Sequence, residues 1–93
     1  MFSVYYSKKY KKSFKRLMGS GSFDREEIEK VIEMLAREKT LPEKYRDHGL
    51  DGRFRGYRDC HLRFDIVLIY RISDNRLLLV LLDIGSHSEI FRR

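Results

Sequence analysis

The chain has 93 residues, 42% of them hydrophobic, enough for one small core and not for two, so residues 1–93 read as a single domain. Its 20 Lys and Arg against 14 Asp and Glu give a formal net charge of +6 and a pI near 9.6, which favours polyanionic partners without naming one. A lone cysteine, Cys60, excludes an internal disulfide, residues 1–10 lack an apolar signal segment, and no stretch could span a membrane, so the expectation is a soluble cytoplasmic protein without a membrane partner.

Residues 2–6 are aromatic and β-prone and predict a first strand. Tyr6, Tyr10, Phe14, Leu17 and Met18 recur at helical spacing, which predicts a helix with one apolar stripe. The rest of that helix is cationic: residues 1–23 hold Lys8, Lys9, Lys11, Lys12, Lys15 and Arg16 and no acid, as much net positive charge as the whole chain. Gly19-Ser20-Gly21-Ser22 ends it. Asp24 caps a second helix, with Glu27 placed to reach back in a capping box and Phe23 to staple onto Ile28. Ile28, Val31, Ile32, Leu35 and Ala36 share one face, and Thr40-Leu41-Pro42 marks the end, because proline disfavours helix in the residue before it.

Residues 43–52 are polar, with turns at His48-Gly49 and Asp51-Gly52. Beyond them a period-two pattern sets Arg55, Tyr57, Asp59 and His61 on one side and Phe54, Gly56, Cys60 and Leu62 on the other. Residues 66–70 are an unbroken apolar run, which fits a strand covered on both faces. Chain reversals at Arg63-Phe64-Asp65 and Ser73-Asp74-Asn75-Arg76 complete a three-stranded meander that ends in residues 77–82, apolar on both faces. The fold class is α+β, ordered β-α-α-β-β-β, with an antiparallel sheet packed on two N-terminal helices. Two helices cover only one face, so the C-terminal tail or another protein must cover the rest.

A histidine and a carboxylate presented from a strand are held more tightly than from a loop, which makes the ionisable side of this meander the candidate site. His48, His61 and His87 all fall at its polar edges, with Asp65 close by. Cleaving RNA through its own 2′-hydroxyl requires a base for that proton, an acid for the departing 5′-oxygen, and stabilisation of the charge gathering on phosphorus. Histidine, with its pKa near neutrality, suits both transfers, each typically giving about 10²–10⁴-fold. Taken singly, each histidine equally fits a surface or hydrogen-bonded structural role. A metal site from His48, Cys60, His61 and His87 is disfavoured, since Cys60 and His61 point to opposite strand faces and no spacing matches a zinc motif. Phe91 can stack on a base or simply pin the terminus. Arg55, Arg58 and Arg63 suit phosphate contact or solubility alike, and the lysine face of the first helix is open to RNA or only to solvent.

Three blocks, Lys44-Tyr45-Arg46-Asp47-His48-Gly49-Leu50-Asp51-Gly52, then Gly56-Tyr57-Arg58-Asp59-Cys60-His61 through Asp65 to Ile69-Tyr70, then Gly85-Ser86-His87-Ser88-Glu89-Ile90-Phe91, together resemble the YafQ toxins of the RelE/ParE superfamily. The resemblance implies a RelE/ParE-like fold and a ribosome-dependent mRNA endonuclease that needs no metal or other cofactor and is silenced by a cognate antitoxin, whose complex reaches operator DNA. It implies catalytic roles for His48, His61, Asp65 and His87, with His87 as acid toward the 5′-oxygen, and a base-placing role for Phe91. Lys8, Lys9, Lys11, Lys12, Lys15 and Arg16 would grip ribosomal RNA, and surplus apolar surface at the last strand would dock the antitoxin. Two positions depart from the family's pattern: Ile66 replaces a tryptophan and Asp83 replaces an arginine, which leaves Arg58 or Arg63 to hold phosphate. A ParE-like topoisomerase inhibitor of the same fold and a basic RNA-binding module without catalysis are the alternatives.

Overall fold

The computed structural model describes residues 1–20 and 22–91, so Gly21 of the expected helix stop lies outside the described residues. The elements run β1 Ser3–Tyr6, α1 Lys8–Ser20, α2 Arg25–Ala36, β2 His48–Gly49, β3 Arg58–Leu62, β4 Ile66–Ser73, β5 Leu78–Ser86 and α3 His87–Phe91.

Helix α1 starts where Ser7 caps it: the Tyr10 amide donates to Ser7 Oγ (3.0 Å), and the same hydroxyl donates to the Leu82 carbonyl (2.9 Å), tying the helix to β5. Tyr10, Ser13 and Leu17 are buried, and the six basic side chains stay exposed. No acid occupies the first turn. Cations there oppose the helix dipole, each unfavourable by roughly 0.3–1 kcal/mol, so helix stability does not explain them. Asp24 caps α2 by accepting from the Glu27 amide, but the Glu27 carboxylate accepts from the Arg63 amide instead of reaching back, leaving half a capping box. All five expected apolar residues of α2 are buried. The helix ends at Ala36, short of the proline, because Glu38 adopts a left-handed conformation (φ 62°) and the Glu38 and Lys39 amides close the last turn onto Leu35 and Met34.

The sheet has five strands in the order β1-β5-β4-β3-β2. β2 to β5 are antiparallel neighbours, but β1 pairs parallel with β5, which corrects the wholly antiparallel expectation. Residue pattern encodes which face of a strand is apolar and not which way the strand runs. β1 leads into α1, which packs back on β5, and that fixes its direction. Between Ile69 and Tyr70 the register slips: Tyr70 faces Leu81 and Ile69 faces Asp83, so Leu82 is an extra bulged residue.

Ile66, Leu68 and Tyr70 of β4, with Cys60, Leu62, Leu79, Leu81 and Ile84, form one core under α1 and α2. On the opposite face Val67, Ile69 and Ile90 form a second, smaller core with Leu50, Phe54, Tyr57, Leu82 and Phe91 packed around it. Of the two covers expected for this face, the C-terminal tail is the one found: α3, with the 50–57 loop, lies over it, so the apolar surface expected to dock an antitoxin at the last strand is not open. Ile66 is buried in the helix-side core and so offers no stacking surface. Among the described residues, no helix is long and apolar enough to cross a membrane.

Candidate active site

The alternation along β3 decides which side chains face where. Cys60 and Leu62 enter the helix-side core, so Asp59 and His61 point to the opposite face. Across the sheet His61 pairs with Val67 and Val67 with Gly85, which brings the end of β5, and His87 just beyond it, alongside His61. On the other flank β2 pairs His48 directly with Asp59. The result is a row of rings: His48 to His61 and His61 to His87 are each 6.0 Å between centroids, and His87 to Phe91 is 4.9 Å. His48 and His87 are exposed and His61 half-buried, so the row is open to a ligand.

Each end of the row is fixed by local chemistry. At α3, the Glu89 amide donates to Ser86 Oγ (3.2 Å) and the Ser86 amide to Glu89 Oε1 (3.0 Å), a complete capping box that sets His87 in the first turn. Gly85 leaves room for that carboxylate, since a Cβ there would lie 3.0 Å from Glu89 Oε1. Arg53 donates to the Ile90 carbonyl (2.9 Å), and Phe54 meets Phe91 edge to face at 5.7 Å, which closes the 50–57 loop over the second core. At the β2 end, Tyr70 reaches from β4 to donate to Asp47 Oδ1 (2.5 Å), and Arg58 donates to the same oxygen (3.3 Å). Arg46 is left-handed (φ 50°), and its carbonyl lies 2.8 Å from His48 Nδ1.

Asp59 sits between two of the rings, with Oδ1 3.0 Å from His48 Nδ1 and 3.8 Å from His61 Nε2. It is 1% exposed, and Oδ1 lacks a hydrogen bond of good geometry. Burial pushes its carboxyl above the ordinary aspartate range, and His48, His61 and His87 pull it back only in part. Cys60, buried on the other face, has its thiol pushed up by burial and is no ligand for this side.

A profile of a family described as a bacterial toxin of type II toxin-antitoxin system, YafQ, matches residues 2–92. The chain belongs to the YafQ toxin family. It is 43% identical over 51 residues to the mRNA interferase toxin YafQ of Escherichia coli (strain K12), covering 55% of this chain and 53% of that one. The chain spans about half the length of the curated relatives it matches. Among solved structures, a metal-bound toxin from Helicobacter pylori superposes with a TM-score of 0.88 at 42% identity, covering 98% of this chain and 100% of that chain. The E. coli DinJ-YafQ complex gives a TM-score of 0.86 at 29% identity, covering 98% and 99% respectively.

In this YafQ-family chain the structure gathers His48, His61, His87 and Phe91, and it adds Asp59. The period-two pattern already sets Asp59 on that face, whereas the carboxylate expected in the site is Asp65. Asp65 is exposed in the β3–β4 turn with φ 60° and makes none of the contacts that join the rings. It stays at the same end of the sheet, because the next residue, Ile66, pairs with both Leu62 and Ser86. Arg63 is bound to Asp24 (3.0 Å) at the start of α2 and Arg58 to Asp47, so neither guanidinium is committed to the row. Lys9 pairs with Asp83 (3.6 Å), and the cationic face of α1 lies across the sheet from the histidines. The Asp47–Tyr70 clamp carries no sequence signal, whereas the Ser86-His87-Ser88-Glu89 capping box has a recognisable one.

Proposed function

We propose that this chain is an endoribonuclease toxin that cleaves mRNA at the ribosome in the bacterial cytoplasm, moving protons with histidines, and that a cognate antitoxin silences it. The row of three partly exposed imidazoles beside Phe91 is the observation that carries this reading. In-line attack needs a proton acceptor on one side of phosphorus and a donor on the other, each within about 2.6–3.2 Å of its oxygen. Imidazoles 6.0 Å apart can reach two oxygens of one phosphate. His87 donates to the departing 5′-oxygen, His48 and His61 share removal of the 2′-proton and support of the transition state, and Asp65 adds its charge from the turn. Phe91 places a base against His87, and Arg58 and Arg63, both still exposed, border the path of the backbone. Lys8, Lys11, Lys12, Lys15 and Arg16 bind ribosomal RNA from the far side of the sheet, with Lys9 beside them. The E. coli relative's name, mRNA interferase, and the DinJ-YafQ complexes support the activity and the antitoxin partner.

Expressing the wild type and His87→Ala, then mapping mRNA 5′ ends, tests the proposal: new codon-spaced ends and growth arrest are expected from the wild type only. Equal arrest without new ends defeats the nuclease, DNA-damage signatures indicate the ParE-like alternative, and no arrest indicates a passive RNA binder.

A second reading rests on donor geometry. His48, Asp59 and His61 each offer a ligand atom within 4.8 Å of the others, and the orphaned Asp59 oxygen fits a cation. These residues would hold a transition metal such as the copper bound by a mutant toxin from H. pylori, and such an ion would occupy lone pairs that proton transfer requires. Zinc or copper would then inhibit cleavage and raise the melting temperature, with EDTA reversing both; an unchanged melting curve defeats this reading.

A further inference from the structure

We infer that Asp59 is a positioning residue: its buried carboxylate fixes His48 and His61 in defined tautomers, so that each neutral ring turns a free lone pair away from the sheet. The inference rests on the ribonuclease reading above and names a residue that reading does not use.

Two observations carry it. First, both neighbours of His48 Nδ1, the Arg46 carbonyl at 2.8 Å and Asp59 Oδ1 at 3.0 Å, are acceptors only. Nδ1 therefore holds a hydrogen, and the lone pair of neutral His48 lies on Nε2. His61 meets the same carboxylate oxygen through Nε2 at 3.8 Å, which favours the opposite tautomer with its lone pair on Nδ1. One buried oxygen thus faces a ring nitrogen of each imidazole and biases both through its charge, while the Arg46 carbonyl takes the His48 hydrogen bond. Secondly, a carboxylate that is 1% exposed and short of good donors destabilises the fold that contains it. On the β4 side Asp59 pairs with Ile69, which has no side-chain donor to give it, and Asp59 Oδ1 has no hydrogen bond of good geometry to keep. Its effect is on the imidazoles.

The test uses Asp59→Asn, which keeps the shape and removes the charge. On programmed ribosomes, kcat is expected to fall by about 10²-fold or more with KM unchanged, and the melting temperature is expected to stay at or above the wild-type value. In the His48→Gln background the same substitution should cost less, because the ring that Asp59 holds is already gone. Long-range ¹H–¹⁵N spectra of the neutral rings, recorded with EDTA, should show a single Nε2–H tautomer at His61 in the wild type and a mixture in Asp59→Asn, with a smaller change at His48, whose Nδ1–H the Arg46 carbonyl still accepts. A mixed tautomer in the wild type, an unchanged spectrum in the variant, or a variant with wild-type kcat overturns the inference. Should the wild type cleave no mRNA, the ribonuclease reading fails, and the spectra alone decide whether Asp59 holds the rings.

Discussion

Tyr70→Phe removes one hydroxyl and leaves the rest of a fully buried ring in place, so it tests the bond to Asp47 that anchors the residue next to His48, together with the hydroxyl's contact with Arg58. A hydrogen bond to a charged acceptor contributes about 1.5–3 kcal/mol. Asp47 keeps Arg58, and its side chain is 24% exposed, so water replaces part of what is lost. The lower figure applies: about 1.5 kcal/mol, or a fall of roughly 6–12 °C in melting temperature for a domain this size. The sign with pH follows from the phenol, which burial and then the Asp47 bond push up. A folded-state pKa above the unfolded value of about 10 means that the contribution is complete below that pH and fades as pH rises through the folded value. The wild-type advantage should therefore hold across the neutral range and shrink only in strong alkali. Because β2 is only two residues long, the clamp also sets where His48 stands, and cleavage should drop by about tenfold. Urea titration at several pH values, paired with ribosomal cleavage kinetics, measures both effects. A variant that melts within about 2 °C of the wild type, or that loses stability with turnover intact, refutes the role given to the clamp.

Four other outcomes follow from the same geometry. Asp59→Asn should be more stable than the wild type at neutral pH; the raised carboxyl disfavours the folded state as pH climbs through its folded value, so the gain should vanish in acid, and a constant difference in urea titrations would contradict this. Lys8→Glu, in the first turn of α1, should stabilise the protein by about 1 kcal/mol or less while weakening ribosome binding and its salt dependence; unchanged binding and slope in sedimentation assays would dismiss the RNA-gripping helix. Ser86→Ala should cost about 0.5–2 kcal/mol and lower cleavage by loosening His87, and full activity in that variant would show that the cap does not place the ring. Ribosome-bound cleavage should fall at both acidic and alkaline pH, whereas a flat rate from about pH 5.5 to 9 would argue against paired proton transfer.

The order of β1, the two long helices and β3 to β5 is legible in the chain because each rests on a local signal: the Asp24 cap, the apolar face from Ile28 to Ala36, the Phe64-Asp65 reversal; the short β2 and α3 stand outside the expected order. What escapes is whatever depends on distant partners. β1 shows its β-propensity but not its parallel pairing with β5, since no local pattern records direction. The segment holding His48 reads as a turn, because a strand of two residues is too short for periodicity, yet its pairing with Asp59 is what brings that ring beside His61. Asp65 stands nearer in sequence to the apolar run and draws the eye, while Asp59, on the ionisable side of the alternation, is the carboxylate in contact. Sequence proximity and contact diverge at such a turn, where two successive left-handed residues swing Asp65 outward.

The extra residue in β5 gives that strand one unit of slack. If Leu82 is excised, Leu81 still meets Tyr70, Asp83 still meets Ile69, and the strand hands His87 to the same place at the loss of one leucine's packing and of the carbonyl that accepts the Ser7 hydroxyl. Excising Ile84 offers no such escape, because either Gly85 moves up against Leu68 or Asp83 is drawn beneath the helices. Tolerance to a change in length is thus concentrated around a single point of the strand, just ahead of the segment that carries the last ring.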